Sequence, residues 1–208
     1  MDLFPVFIVS GPSGAGKTSL WKEVAPGLPW IRTAISHTTR PPRDGESNGV
    51  DYFFIDRQEF EEMIRGEQFL EWAEVHGHLY GSSEKNLDRC DRENALLFEV
   101  DCRGAKKIRS KLKNVVSIFV MTPSFEDLVN RIKNRGRISE KELSVRLETA
   151  RKEVKQAIDF DYLIINNTFS KALTELRSIF IDEGCRKEYL TSELIKRWEQ
   201  EIQLFHNE

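Results

Sequence analysis

Two rhythms of apolar residues divide this chain. Short unbroken apolar runs at Phe4–Ser10, Leu96–Val100, Val115–Met121 and Tyr162–Ile165 predict strands buried on both faces. Between them the apolar residues recur at helical spacing. The first helix, Thr18–Val24, is stopped by Pro26 and Gly27. Asp56 with Glu59 makes a capping-box-like start for a helix through Ile64, after a strand-like Tyr52–Ile55. Arg103–Leu112 and Lys171–Ile181 read as helix, and Ser124 with Asp127 and Ser139 with Glu142 open two more. Leu190, Leu194, Trp198, Ile202 and Phe205 then form one apolar helix face within residues 188–206. Ile31–Asp51 breaks the rhythm. It holds Pro41, Pro42, Gly45 and Gly49 among charges and reads as a functional loop. Strands alternating with helices predict an α/β, doubly wound, parallel-sheet core, with inserted pieces at residues 35–90 and near 135–150.

Composition narrows the class. The 208 residues hold 31 Lys and Arg against 34 Asp and Glu, a net charge of −3, so no global basic field recommends nucleic acid as a partner. No apolar run reaches the roughly 18 residues of a membrane span, and Met1-Asp2 does not start a signal peptide. Cys90, Cys102 and Cys185 are odd in number and form no CxxC pair, which points to neither zinc nor disulfides and suits a reducing cytoplasm. His76 and His78 lack a third ligand at metal spacing and read as polar loop residues.

The chemistry starts at Gly11-Pro12-Ser13-Gly14-Ala15-Gly16-Lys17-Thr18, a complete G-x-x-x-x-G-K-[ST] loop after a buried strand and at the start of a helix. Backbone N–H groups of such a turn, with a helix N-terminus, cradle phosphates. Lys17 is expected on the β- and γ-phosphates of a nucleoside triphosphate, and the Thr18 hydroxyl on Mg²⁺.

Downstream, Thr38-Thr39-Arg40-Pro41-Pro42-Arg43 continues through Gly45-Glu46, Gly49 and Asp51-Tyr52 to Phe54; Phe69-Leu70-Glu71-Trp72 and Tyr80-Gly81-Ser82 follow. With these pieces the sequence resembles the guanylate kinase family from its first strand to about residue 185. The resemblance implies an ATP:GMP phosphotransferase that requires Mg²⁺, with dGMP a possible second acceptor, as a monomer or homodimer in the cytoplasm without nucleic-acid or membrane partners. It implies a P-loop core at residues 1–34, 94–130 and 160–187, a GMP-binding region at 35–93, a lid with its following helix at 131–159, and a C-terminal helix at 188–208. A scaffold module that keeps this fold but has lost catalysis is the alternative, as is a related kinase for another phosphorylated acceptor. The first is disfavoured by Lys17 and Thr18, the second by Ser36, Glu71 and Tyr80 occurring together.

By the same resemblance Arg40, Arg43, Tyr52 and Tyr80 hold the acceptor phosphate, Glu46 is among the GMP-binding residues of the same loop, and Ser36, Glu71 and Ser82 read the base. Guanidinium forks suit a dianionic phosphate. A carboxylate is the group that accepts both N1–H and the 2-amino group of guanine. Trp72 is expected to pack as a wall. Glu99 and Asp101 close an apolar strand, and either is a candidate for Mg²⁺, with Asp101 also expected on the acceptor. Arg103 stands where the family usually has Gln. Arg131, Arg135 and Arg146 are expected to converge on the phosphates and Arg137 to lie on the adenine ring, while Arg151 reads as a solvated charge. Asn166-Asn167 falls where the family meets the donor base, although turn formation explains that pair equally well.

Overall fold

The computed structural model describes residues 5–75, 77–90, 94–134, 138–185 and 196–200. Its core is a five-stranded parallel sheet in the order β2-β7-β1-β8-β9. The strands are β1 (Val6–Ser10), β2 (Ile31–Thr33), β7 (Ala95–Glu99), β8 (Val115–Met121) and β9 (Tyr162–Ile165). β1 is buried along its whole length, as an apolar run between two helical layers must be. One layer is α1 (Lys17–Val24) with α6 (Phe169–Gly184), where Phe7, Leu20, Leu176 and Phe180 are sealed. The other is α3 (Cys102–Lys111), whose Ala105 and Ile108 close over Ile8, Leu96 and Phe98.

A second sheet, ordered β4-β3-β6-β5, projects from this core. It contains β3 (His37–Thr38), β4 (Phe53–Phe54), β5 (Phe69–Val75) and β6 (His78–Ser83), with α2 (Arg57–Arg65) packed beneath through Phe60, which stacks on Phe69. α3 holds this sheet to the core. Lys107 Nζ donates to the Trp72 carbonyl at 3.0 Å and Lys111 Nζ to the Phe69 carbonyl at 2.9 Å. Two further helices, α4 (Phe125–Lys133) and α5 (Glu140–Val154), join through Leu128, Ile132, Leu143, Leu147 and Ala150.

The capping signals act as the sequence predicts. Asp56 accepts from the Glu59 N–H, Ser124 from the Asp127 N–H, and Ser139 with Glu142 completes a reciprocal capping box. β8 and β9 have the predicted bounds. The loop expected over Ile31–Asp51 is corrected in part, because β2 and β3 lie inside it. The β5–β6 hairpin was not predicted, and α6 runs beyond the expected Lys171–Ile181. Of the predicted C-terminal helix, residues 196–200 are helical and the remainder lies outside the described residues. No helix among the described residues is long and apolar enough to cross a membrane.

Candidate active site

The carboxyl ends of β1, β7, β8 and β9 open on one edge of the core, where doubly wound sheets place their ligands. The phosphate loop runs from β1 into α1 at this edge. Lys17 Nζ bends back onto the Gly11 and Pro12 carbonyls at 2.7 and 3.1 Å. Gly16 adopts φ +95°, and a Cβ there would lie 2.5 Å from Asn166 Nδ2, so glycine is required on both counts.

Asn166, expected at the donor base, is engaged with the phosphate loop. The residue is buried, and its amide donates to the Ala15 carbonyl at 2.8 Å, bracing the phosphate loop from the end of β9. Arg131 joins the brace from α4. Its guanidinium reaches the Ala15 carbonyl at 3.4 Å and the Asn166 carbonyl at 2.7 Å. A buried amide that satisfies a loop carbonyl has no sequence signature, which is why a turn was an equally good reading of Asn166-Asn167.

The two acids at the end of β7 separate cleanly. Thr18 Oγ1 lies 2.9 Å from both oxygens of Glu99, and Trp21 Nε1 donates to Glu99 Oε2 at 2.6 Å. Asp101 is the N-cap of α3. Its Oδ1 accepts from the Gly104 N–H at 2.7 Å and its Oδ2 from Arg103. Glu99 thus meets Thr18 at the start of α1, whereas Asp101 organises the start of α3.

Across α3 lies the second half of the site. Glu71, on β5, is 7% exposed and accepts from Ser82 Oγ at 2.9 Å, and Ser82 Oγ is 3.3 Å from Ser36 Oγ. The hairpin register that pairs Glu71 with Ser82 brings these groups together. Burial pushes the Glu71 carboxyl up to about 7; the Asp101 carboxylate pushes the same way, while the Ser82 hydroxyl and Lys107 pull back. Gly104 makes room for it, since a Cβ there would sit 2.8 Å from Glu71 Oε2. A buried carboxylate beside two hydroxyls is built to accept a pair of hydrogen bonds from a ligand.

The phosphate-binding candidates surround that pocket. Arg40 is nearly buried and lies over the rings of Tyr52 and Phe54. Glu46 grips it with both oxygens, at 2.8 and 2.9 Å from Nη2, and also accepts from the Arg43 N–H. Glu46 therefore orients the arginine loop; the sequence had placed it among the acceptor's own contacts. The Arg43 side chain is exposed. Trp72 is half-exposed, with Lys107 Nζ 5.5 Å from its ring centroid.

On α5, Arg146 Nε is buried and has no hydrogen-bond partner among the described residues. Arg151 is exposed, on a groove with Phe125 and Leu147 that lies apart from the phosphate loop. Arg135 and Arg137 lie outside the described residues. No cluster of three potential metal-ligating side chains occurs among the described residues.

A family model described as guanylate kinase matches residues 5–183. A guanylate kinase of Geobacter metallireducens is 41% identical over 182 residues, covering 87% of this chain and 90% of its own. One from Pseudomonas fluorescens is 43% identical over 176 residues, with coverages of 84% and 85%. The crystal structure of guanylate kinase from Anaplasma phagocytophilum superposes with a TM-score of 0.72 at 31% identity, over 91% of this chain and 90% of that one.

Proposed function

The chain belongs to the guanylate kinase family of ATP:GMP phosphotransferases, and from that premise we propose how its own residues divide the reaction. The observation that carries the assignment is the Glu71–Ser82–Ser36 chain, a buried acceptor set beside the arginine loop. Glu71 accepts guanine N1–H and the 2-amino group, and Ser36 donates to O6. Arg40 and Arg43, with the Tyr52 and Tyr80 hydroxyls, hold the acceptor phosphate, and Glu46 sets the Arg40 fork. dGMP meets the same base and phosphate contacts.

On the donor side the Gly11–Gly16 backbone cradles ATP and Lys17 neutralises its β- and γ-phosphates. Lys17 leaves the two loop carbonyls it now holds when the phosphates arrive. Arg131, Arg146 and the lid residue Arg135 add charge where the moving phosphoryl group becomes electron-rich. No side-chain base is needed, because the acceptor phosphate is already an anion at neutral pH.

Mg²⁺ fits the donor site. Thr18 and Glu99 offer hard oxygen atoms side by side, and Mg²⁺ ordinarily completes its shell with water and substrate phosphates. It supplies charge neutralisation of the triphosphate; Thr18 and Glu99 hold its place. A reducing cytoplasmic setting fits the thiols of Cys90, Cys102 and Cys185. The test is a coupled ADP-release assay across the nucleoside monophosphates with Mg²⁺ present and removed by chelation. Turnover with GMP above all others, lost on chelation, is the expected result. Equal turnover of AMP and GMP would refute the base assignment.

A further inference from the structure

Four charges of alternating sign meet where the phosphate loop, the start of α3 and the last turn of α5 come together, and the roles above give a catalytic task only to Lys17. Asp101 caps α3. Arg103 lays Nε and Nη2 against Asp101 Oδ2 at 3.2 and 3.0 Å, with most of its side chain exposed to solvent. Glu153, from α5, lies within electrostatic reach of Lys17, Asp101 and Arg103. The backbone is tied at the same point, because Cys102 Sγ contacts the Glu153 carbonyl at 3.9 Å and Ser10 Oγ contacts Cys102 Sγ at 3.7 Å. Burial pushes the Cys102 thiol up to about 11, so it contributes no charge at neutral pH.

Two carboxylates at this point, Glu153 within electrostatic reach of the donor lysine and Asp101 coupled to Glu153, pose a problem for binding a polyphosphate. They compete for Lys17 and repel the incoming anion. Arg103 supplies a second cation at the same point. We propose that Arg103 is a positioning residue of the donor site, the fixed counter-ion of Asp101 and Glu153 that leaves Lys17 committed to the phosphates of ATP. This rests on the reading of Lys17 as the donor lysine.

The proposal has a pH signature. Glu153 faces Lys17 from α1 and Asp101, Cys102 and Arg103 from the start of α3. Burial pushes its carboxyl up to about 7; Lys17 and Arg103 pull it back, while Asp101 pushes it further up. Without Arg103, two negative charges surround one lysine at pH 8. Near pH 6 Glu153 takes up a proton and one of those charges disappears.

The experiment measures KM for ATP at saturating GMP from pH 6 to 8.5 in the wild type, Arg103→Gln, Glu153→Gln and the double variant. Arg103→Gln should raise KM about 5- to 10-fold at pH 8, with the defect shrinking to about twofold near pH 6. Adding Glu153→Gln should restore most of the loss, because the pair is coupled. Arg103→Lys keeps the cation and should stay within about twofold of wild type. An unchanged KM in Arg103→Gln overturns the proposal. So does a defect that is constant with pH, or one that persists when Glu153 is neutralised or when Lys replaces Arg; each would mark a merely structural role. Normal turnover in Lys17→Ala would instead refute the donor-site reading beneath it.

Discussion

At the scale of single residues, the site depends on charges held where water would not leave them. Lys17 is the plainest case. Its removal should lower kcat by about 10²-fold or more while KM for GMP changes little, because the lysine belongs to the donor cradle alone. Steady-state kinetics of Lys17→Ala with each substrate varied checks this. Glu71 makes a sharper prediction, since its burial has a cost that function requires. Its carboxyl ionises near 4.5 when free and at about 7 in the fold, so the native state binds its proton more tightly. The contribution of Glu71 to stability therefore falls as pH rises from about 4.5 to 7, and the full penalty is present above 7. Glu71→Gln should melt higher at pH 8, by on the order of 1–3 kcal/mol, and gain little at pH 4. The same variant should lose about 2–4 kcal/mol in kcat/KM for GMP while AMP activity falls less or rises. In the wild type, KM for GMP should climb as pH drops below about 7, and this dependence should vanish in the Gln variant. A variant that is less stable at pH 8, or that loses GMP and AMP equally, contradicts the reading of Glu71.

At the scale of elements, the sequence was most legible where a strand is a short apolar run. β8 and β9 match their predicted bounds, but only β8 is buried as expected: β9 is the edge strand, and its Leu163 and Ile165 are exposed. Capping residues marked the starts of α2, α4 and α5 because an orphan N–H must find an oxygen within one turn. The β5–β6 hairpin escaped for a physical reason. Phe69, Leu70 and Glu71 are all buried, and the register shifts between Phe69 and Glu71, so the period of two that marks a strand is broken at the functional residue. β2 and β3 are two or three residues long and carry no period at all, whereas β4 lies within the strand-like Tyr52–Ile55. Motif residues could be named from sequence; the bracing by Asn166 and the orienting contacts of Glu46 could not, because both depend on tertiary proximity. α3 packs against β5, which carries Glu71, and Gly104 lies in the first turn of α3. Gly104→Ala would place a methyl group 2.8 Å from Glu71 Oε2, closer than an ordinary contact permits. KM for GMP should rise by about tenfold or more as Glu71 is displaced, with KM for ATP nearly unchanged. Unchanged GMP kinetics would mean that the carboxylate does not need that space.

At the scale of the whole molecule, a parallel sheet carries two appendages, the β4-β3-β6-β5 sheet and the α4–α5 pair. The second sheet is anchored by Lys107 and Lys111 of α3, and its loop already touches the core through the Lys22–Asp51 ion pair at 3.0 Å. α4 and α5 carry the arginines on the other side, with Arg146 Nε buried and unpaired among the described residues. An unpartnered buried guanidinium nitrogen is unfavourable, and an arriving phosphate oxygen relieves it. That argues for ligand-driven closure, in which the phosphates draw α4, α5 and the acceptor sheet together and exclude the water that would otherwise take the phosphoryl group. Because Lys22–Asp51 already joins α1 to the acceptor loop, most of the movement should lie on the lid side. Small-angle scattering with a bisubstrate analogue should show a smaller radius of gyration than the free protein. Arg146→Ala should retain the analogue more weakly and contract less, since the charge that rewards closure is gone. Identical scattering profiles with and without the analogue, at concentrations where calorimetry shows it bound, would mean that the site works without closing.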